Sequence, residues 1–440
     1  MKEDLLYHLW QYQKFAKHNL RTVQGDELRV FSAGHLNTLA GPDFAYSKIM
    51  LNDVTWSGSV EIHVNSSDWY RHKHHLDENY EKVILHVVWN NDKEVKLRDG
   101  SLLPVLELKN RVYPEILEKY EKMMGDNHDF TCRNLITKVP DIKLANAFES
   151  ALNERLRTKA SKVSEVYKST NQFWEETAFK VICSAFGFKV NSGGFGILAE
   201  QLRYDILQKN RDQRLKIEAL FFGLSGMIRE KNKDEYSETM KRYFSFLDHK
   251  YSLGGSMMSE RDWNFFGARP ANFPTLRLAQ LAGVVCKSQL FFDAILNSDS
   301  LKDYYAIFEF EISDYWKSHY DFGKKKKSAT FSLSKASKEN LIINSVIPIL
   351  AAYAMEKDQH QYWEKAIDLL SSLSPERNSI TKKWNAMGVE LGSAFETQAC
   401  LEQYKHHCLE KKCLSCSVGY HLLHSHSSIK GNLSEEIVKN

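Results

Sequence analysis

Gly41-Pro42-Asp43-Phe44, the β-rich run 46–51, the turn pair Asn52-Asp53 and the run 60–64, which holds Glu61-Ile62-His63, form the stretch that decides the fold of this sequence. The two runs are rich in residues suited to a pleated surface and are separated by the short polar residues that reverse a chain, so they read as a β-hairpin. A two-residue loop pairs positions whose numbers sum to 105 and sets Glu61 beside Phe44. A three-residue loop, or one bulge near Gly58, instead places Asp43 opposite Glu61. Residues opposed in this way lie about 4.5 to 5.5 Å apart at Cβ, close enough for two carboxylates to hold one cation. Glu61 and His63, two positions apart on one strand, share a face.

Outward from the hairpin, further β-rich runs occupy 28–32, 83–89, 94–97 and 102–108, with Asp99-Gly100 as a second hairpin signal between the last two. Helical patterning precedes the first strand, over 3–17, and the fourth, over 77–82. The expected order is helix, three strands, helix, strand, hairpin. Beyond Pro140 the apolar spacing changes to three and four, as in Leu144, Phe148, Leu152 and Leu156, and in Phe173, Ala178, Ile182 and Phe186. Gly187 is placed to stop a helix, Ser192-Gly193-Gly194 reads as a loop, and Thr275 as the N-cap of a helix over 276–285. Residues 341–355, interrupted by Asn344, Ser345 and Pro348, read as a buried helix too short for the ~20 residues that span a bilayer. Residues 328–338 read as a mobile loop. The fold class expected is α+β, with a strand-rich domain over 1–120 and a mostly helical domain over 140–440.

Composition sets bounds on function. Fifty-nine Lys+Arg against 56 Asp+Glu leave a net charge of +3, so any nucleic-acid contact must be local and not a property of the whole surface. Seven cysteines are too few for a disulfide framework, and their odd number points to a reducing compartment. The first ten residues carry acids and a histidine where an export signal needs an apolar core, so the expected location is cytoplasmic, away from membranes.

With the element order and residues set out, a resemblance follows. Helix, three strands, helix, strand, with Pro42-Asp43 and Glu61-x-His63, resembles the core of the PD-(D/E)XK, or restriction-endonuclease-like, nuclease superfamily over residues 1–110. The resemblance implies an αβββαβ core in which Asp43 and Glu61 hold Mg²⁺ or Mn²⁺ and His63 stands where the superfamily usually has Lys. The implied activity is hydrolysis of phosphodiester bonds in DNA or RNA. Imidazole, with a pKa near 6.5, can take a proton from water where an ammonium must first lose its own, at the cost of weaker stabilisation of negative charge. A non-catalytic nucleic-acid- or protein-binding scaffold with the same fold is the alternative. A second resemblance covers nearly the whole chain. The run 58–69, with His72, His74, Asp77, Tyr80 and Val83-Ile84-Leu85-His86, resembles an uncharacterised bacterial family catalogued as a domain of unknown function, which implies relatives and no activity.

Other residues offer further chemistry. His72 or His74 is a candidate to reach phosphate or substrate beside the Asp43 site, or else both are exposed loop histidines. His72-x-His74 followed by Asp77 is similar to, but one residue out of register with, the His-x-His-x-Asp pattern of metallo-β-lactamase-like hydrolases, which would make a small-molecule metallohydrolase with zinc. His86, inside an apolar strand, reads as a hydrogen-bonded structural histidine. Cys400, Cys408, Cys413 and Cys416 are spaced for structural zinc, for an iron–sulfur cluster, or for no metal at all. Cys132, Cys183 and Cys286 read as ordinary buried thiols. Arg269 and Arg277 would present guanidinium groups to phosphate, or simply line a helix-entry loop, and Lys324–Lys327 reads as a solvated loop.

Overall fold

In the computed structural model, residues 2–37, 39–126, 128–228, 234–253, 257–266, 269–288, 290–325 and 331–425 are described. The fold is mixed α+β, a strand-rich N-terminal part followed by a largely helical one. The described residues divide into two compact units, the first drawn from 1–147, 386–389 and 403–425, the second from 148–385 and 390–402. The tail that carries Cys408, Cys413 and Cys416 therefore clusters with the sheet.

The sheet unit opens with α1 (Glu3–Gln11) and continues through β1 (Leu28–Ser32), β2 (His35–Leu36), β3 (Phe44–Leu51), β4 (Val54–Asn65), β5 (Val83–Asn90) and β6 (Val105–Glu107). Strand order is β1-β3-β4-β5-β6, with β2 also paired to β3. Leu51 pairs with Val54 across a two-residue turn, and Asn52 and Asp53 both take the positive φ that such a turn needs. The register then shifts by one: Ser47 faces Gly58 but Phe44 faces Val60, so Ala45 and Tyr46 together oppose Ser59 in a β-bulge. The bulge lies in β3, with Tyr46 at φ +58° and 82% exposed. It carries Asp43, just ahead of the strand, to the position opposite Glu61.

β5 runs parallel to β4, with Glu61 opposite His86. Parallel neighbours are covered on both faces, and Val60, Glu61, Ile62 and His63 are all buried. Val60 and Ile62 join the main core with Leu5, Leu6, Leu9 and Trp10 of α1 and Leu85 and Val87 of β5. A smaller cluster of Trp69, Tyr80, Val83, Val95 and Leu103 forms beside it. Gly58 permits the β4–β5 approach, since a Cβ there would lie 2.6 Å from the Lys82 carbonyl oxygen. The expected helix over 77–82 is instead a short α2 (Asp68–Arg71) and two 3₁₀ turns, His74–Leu76 and Glu78–Tyr80, because the Asp77 side chain accepts from the Asn79 N–H and turns the chain locally. The expected second hairpin is reduced to a single bridge, Lys96 to Leu102, and β6 pairs parallel with β5 instead.

The helical unit departs from expectation at three places. Ser192-Gly193-Gly194 lies inside a helix. After α3 (Pro114–Met124), which belongs to the sheet unit, α4 (Asp141–Ser169) and α5 (Trp174–Phe186) are followed by α6 (Phe188–Gln201), which runs through both glycines. Gly194 is there for proximity, its missing Cβ leaving room for the Asp262 carbonyl and the Trp263 ring. Pro274, not a cap at Thr275, begins the helix Pro274–Lys287, with its fixed φ and absent N–H suited to that end. Ser334 caps a helix at Lys335–Leu341 within the expected loop, whose residues 328–330 lie outside the described residues. Residues 341–355 do form a buried helix, with a π-helical turn at Ile342–Val346 just before Pro348. Among the described residues no single helix is long and apolar enough to cross a membrane.

Candidate functional site

Asp43 and Glu61 interlock through the backbone. The Asp43 N–H donates to Glu61 Oε2 at 3.1 Å, and the Ile62 N–H donates to Asp43 Oδ2 at 2.8 Å. Tyr7, on α1, donates its hydroxyl to Asp43 Oδ1 at 2.9 Å. Burial, and next the charge of Glu61, push the Asp43 carboxyl up to about 7. Burial likewise pushes Glu61 up to about 8, against the pull of the Asp43 N–H. Two acids held together out of water resist carrying two charges at once. Burial beside Asp43 also raises the Tyr7 phenol, which stays a donor.

Imidazoles complete the site. His63 Nδ1 lies 2.9 Å from His86 Nε2, and His63 Nε2 lies 3.0 Å from His72 Nδ1. Glu61 Oε1 is 3.5 Å from His63 Nε2 and 3.2 Å from His74 Nε2. His74 stacks on the Tyr80 ring with centroids 3.8 Å apart. His63, His72 and His74 each offer a nitrogen within 4.8 Å of the other two. Burial, with the neighbouring imidazoles adding to it, pushes His63 down to about 2 and His86 down to about 3, so both rings are neutral at ordinary pH. Burial lowers His74 as well. The His86 Nδ1 atom is buried without a hydrogen-bond partner among the described residues.

This donor set fits a divalent cation. Neutral imidazoles and carboxylates are ligand types for Mn²⁺ and Zn²⁺, whereas Mg²⁺ favours oxygen alone, so the three histidines tilt the set away from Mg²⁺. His86 stands behind His63, as an outer partner that fixes which nitrogen of the inner ring faces the site.

The remaining residues singled out in the sequence lie elsewhere. Arg277 belongs to the helical unit and is buried, donating to Asn272 Oδ1 at 2.8 Å and Gln280 Oε1 at 3.0 Å, with its guanidinium 4.3 Å above the Phe188 ring. Those contacts give it a structural occupation. Arg269 is exposed in the same unit. Cys400 is buried in the helical unit, while Cys408, Cys413 and Cys416 are half-buried in the sheet unit. Cys413 Sγ lies 3.0 Å from Thr131 Oγ1, and Gln403 Nε2 donates to Cys416 Sγ at 3.3 Å. Of the three thiols read as buried, Cys183 is, but Cys132 and Cys286 are only half-buried. Lys324–Lys325 forms a two-residue strand whose Lys324 Nζ is 2.9 Å from Asp321, and Lys326 and Lys327 lie outside the described residues.

Sequence reasoning missed Tyr7. Its signal was the Glu3–Tyr7 spacing of four, which puts both on one side of α1, next to the Leu5, Leu6 and Leu9 that bury the helix against the sheet.

A family model described as "Protein of unknown function (DUF2851)" matches residues 3–379. The chain belongs to that family. The DUF2851 match takes in Asp43, Glu61, His63, His72 and His74 and ends before the four C-terminal cysteines. No curated protein and no solved structure matches this DUF2851 chain.

Proposed function

We propose that the sheet unit is a metal-dependent hydrolase of phosphodiester bonds in DNA or RNA, with Asp43 and Glu61 as metal ligands and His63 as the nitrogen that orients the attacking water. The observation that carries this reading is the bulge-set pairing of Asp43 with Glu61, next to the His63, His72 and His74 nitrogens. The element order supports it too: an initial helix, an antiparallel meander of β1, β3 and β4, and a parallel β5.

The cation in keeping with the donor set is Mn²⁺, and its contribution when bound is to acidify a water and neutralise charge on a phosphoryl oxygen. His63 is too weakly basic to take a proton near neutrality, since burial holds its pKa near 2. It acts as a fixed acceptor, with His86 holding the ring in place. His72, exposed and 3.0 Å from His63, is the ring placed to contact a phosphate. Tyr7 holds Asp43 in position through its hydroxyl.

The test is cleavage of labelled single- and double-stranded DNA and RNA with Mn²⁺, Mg²⁺ or Zn²⁺, comparing wild type with Asp43→Ala and Glu61→Ala. Metal-dependent cleavage lost by both folded variants supports the reading. A wild type that cuts none of these substrates and binds no Mn²⁺ overturns it in favour of the non-catalytic scaffold. Zinc retained in Asp43→Ala but lost in His72→Ala and His74→Ala would indicate the small-molecule metallohydrolase.

A further inference from the structure

The helical unit holds a cavity of about 610 Å³ among α4, α5, α6 and the π-helical turn at Ile342–Val346. Five cationic side chains line it against two carboxylates. Three of the cations, Arg155, Lys159 and Lys162, sit on α4 at spacings of four and three, which puts them in one stripe along the helix.

Some charges around this cavity are already matched. Lys180 Nζ is 2.8 Å from Glu200, and Arg155 Nη1 is 3.1 Å from Glu402. Glu376 accepts from the amides of Gln398 and Asn340. Lys159 differs. Its ammonium hydrogen-bonds to neutral oxygens, Asn344 Oδ1 at 3.0 Å, Gln398 Oε1 at 3.3 Å and the Ile343 carbonyl at 3.4 Å. Burial, reinforced by Arg155, pushes it down to about 7. Glu376 and Glu402 act against that shift, and the half-buried ammonium lines the cavity with neutral groups as its hydrogen-bond partners. Lys162, exposed nearby, adds a second cation to the same stripe.

The cavity also has apolar lining, including Val181, Ala185 and Phe188. Phe188 holds φ at +48°, a left-handed conformation that a bulky residue adopts only when its surroundings enforce it. The hydroxyls of Ser184 and Ser192 supply hydrogen-bonding groups. A cavity of this size falls within the range that encloses small organic ligands, about 300 to 1,000 Å³.

The geometry points to a binding site for a phosphorylated small molecule of mononucleotide size, its phosphate on Arg155, Lys159 and Lys162 and its apolar portion against Val181 and Phe188. A phosphate monoester carries close to two negative charges and three acceptor oxygens, which suits a stripe of three cations, one of them already sharing its charge with Glu402, better than a lone carboxylate does. The site is independent of the hydrolase reading, because all its lining residues belong to the helical unit.

The experiment is isothermal titration of the full chain with the four ribonucleoside 5′-monophosphates, inorganic phosphate and adenosine, repeated on Lys162→Glu and Lys159→Met after circular dichroism confirms their fold. Lys162 is exposed, so its substitution leaves the core untouched. At least one monophosphate should saturate the protein at least ~10-fold more tightly than inorganic phosphate, adenosine should not bind, and each variant should weaken the monophosphate at least ~10-fold. Failure of all four to saturate, inorganic phosphate bound equally well, or unchanged affinity in either variant would overturn the assignment.

Discussion

Glu61 is held in a conflict that a single atom exchange can remove. Its carboxyl is buried next to that of Asp43, and both are pushed up, to about 8 and about 7. An acid whose folded pKa is raised contributes its full stability only below its unfolded pKa, near 4, and loses it as pH rises through the folded value. Glu61→Gln, which keeps an oxygen for the Asp43 N–H, should therefore raise the melting temperature of metal-free protein at pH 8 and change it little at pH 4. The gain at pH 8 should be on the order of 2 kcal/mol, and thermal melts of the two proteins across that range check it. The histidines act in the opposite direction. His63 and His86, pushed down to about 2 and about 3, favour the fold above the unfolded value near 6.5 and weaken it as pH falls below that. Because cation binding needs unprotonated ligands, Mn²⁺ should bind more tightly at pH 8 than at pH 6, measured by titration calorimetry. Affinity that is flat across this range would contradict the carboxylate ligands.

The bulge in β3 and the close approach of β4 to β5 are the element-scale features that assemble the site. Tyr46 occupies the bulge at φ +58° with its ring largely in solvent, so it suffers a left-handed backbone while burying little. Tyr46→Gly should stabilise the protein by about 1 kcal/mol in urea unfolding and keep the Asp43–Glu61 register. Gly58→Ala should do the reverse. Its new Cβ would meet the Lys82 carbonyl at 2.6 Å and the Ile84 side chain at 2.5 Å, and β5, with His86, must move away from His63. The expected loss is about 2 to 3 kcal/mol, together with weaker Mn²⁺ binding. A Gly58→Ala protein as stable as wild type would show that the strands have slack at this point.

For the whole molecule, each unit carries one candidate ligand site, and a ligand that binds only the folded state stabilises what it touches. Hydrogen exchange read by mass spectrometry with Mn²⁺ present should slow in residues 43–50, 60–65 and 83–90 and leave the α4 segment 155–163 unchanged. Slowing spread evenly over the chain would argue against Mn²⁺ acting at the histidine site. Much of the sheet was legible beforehand: alternation and turn residues located β1, the β3–β4 hairpin and β5, and the change in spacing after Pro140 marked the helical part. The acid pair was also legible, as one of two possible registers, because chain reversal at Asn52-Asp53 limits which residues can meet. Sequence could not choose between those registers, since a bulge arises from side chains packing on both faces of a finished sheet. Nor could it place Tyr7 and His86 around His63, although it did offer His72 or His74 as a contact beside the acids. Their approach depends on a helix and a crossover folding onto the strands from distant points in the chain. Ser192-Gly193-Gly194 shows the same limit from the other side: local propensity favours a loop, but contact with Trp263, far along the chain, makes glycine useful inside a helix. Fold class and the identity of the two acids were thus set by local pattern, while the imidazole cluster and the cationic cavity were decided by long-range packing, which alone determines which polar groups lose water together.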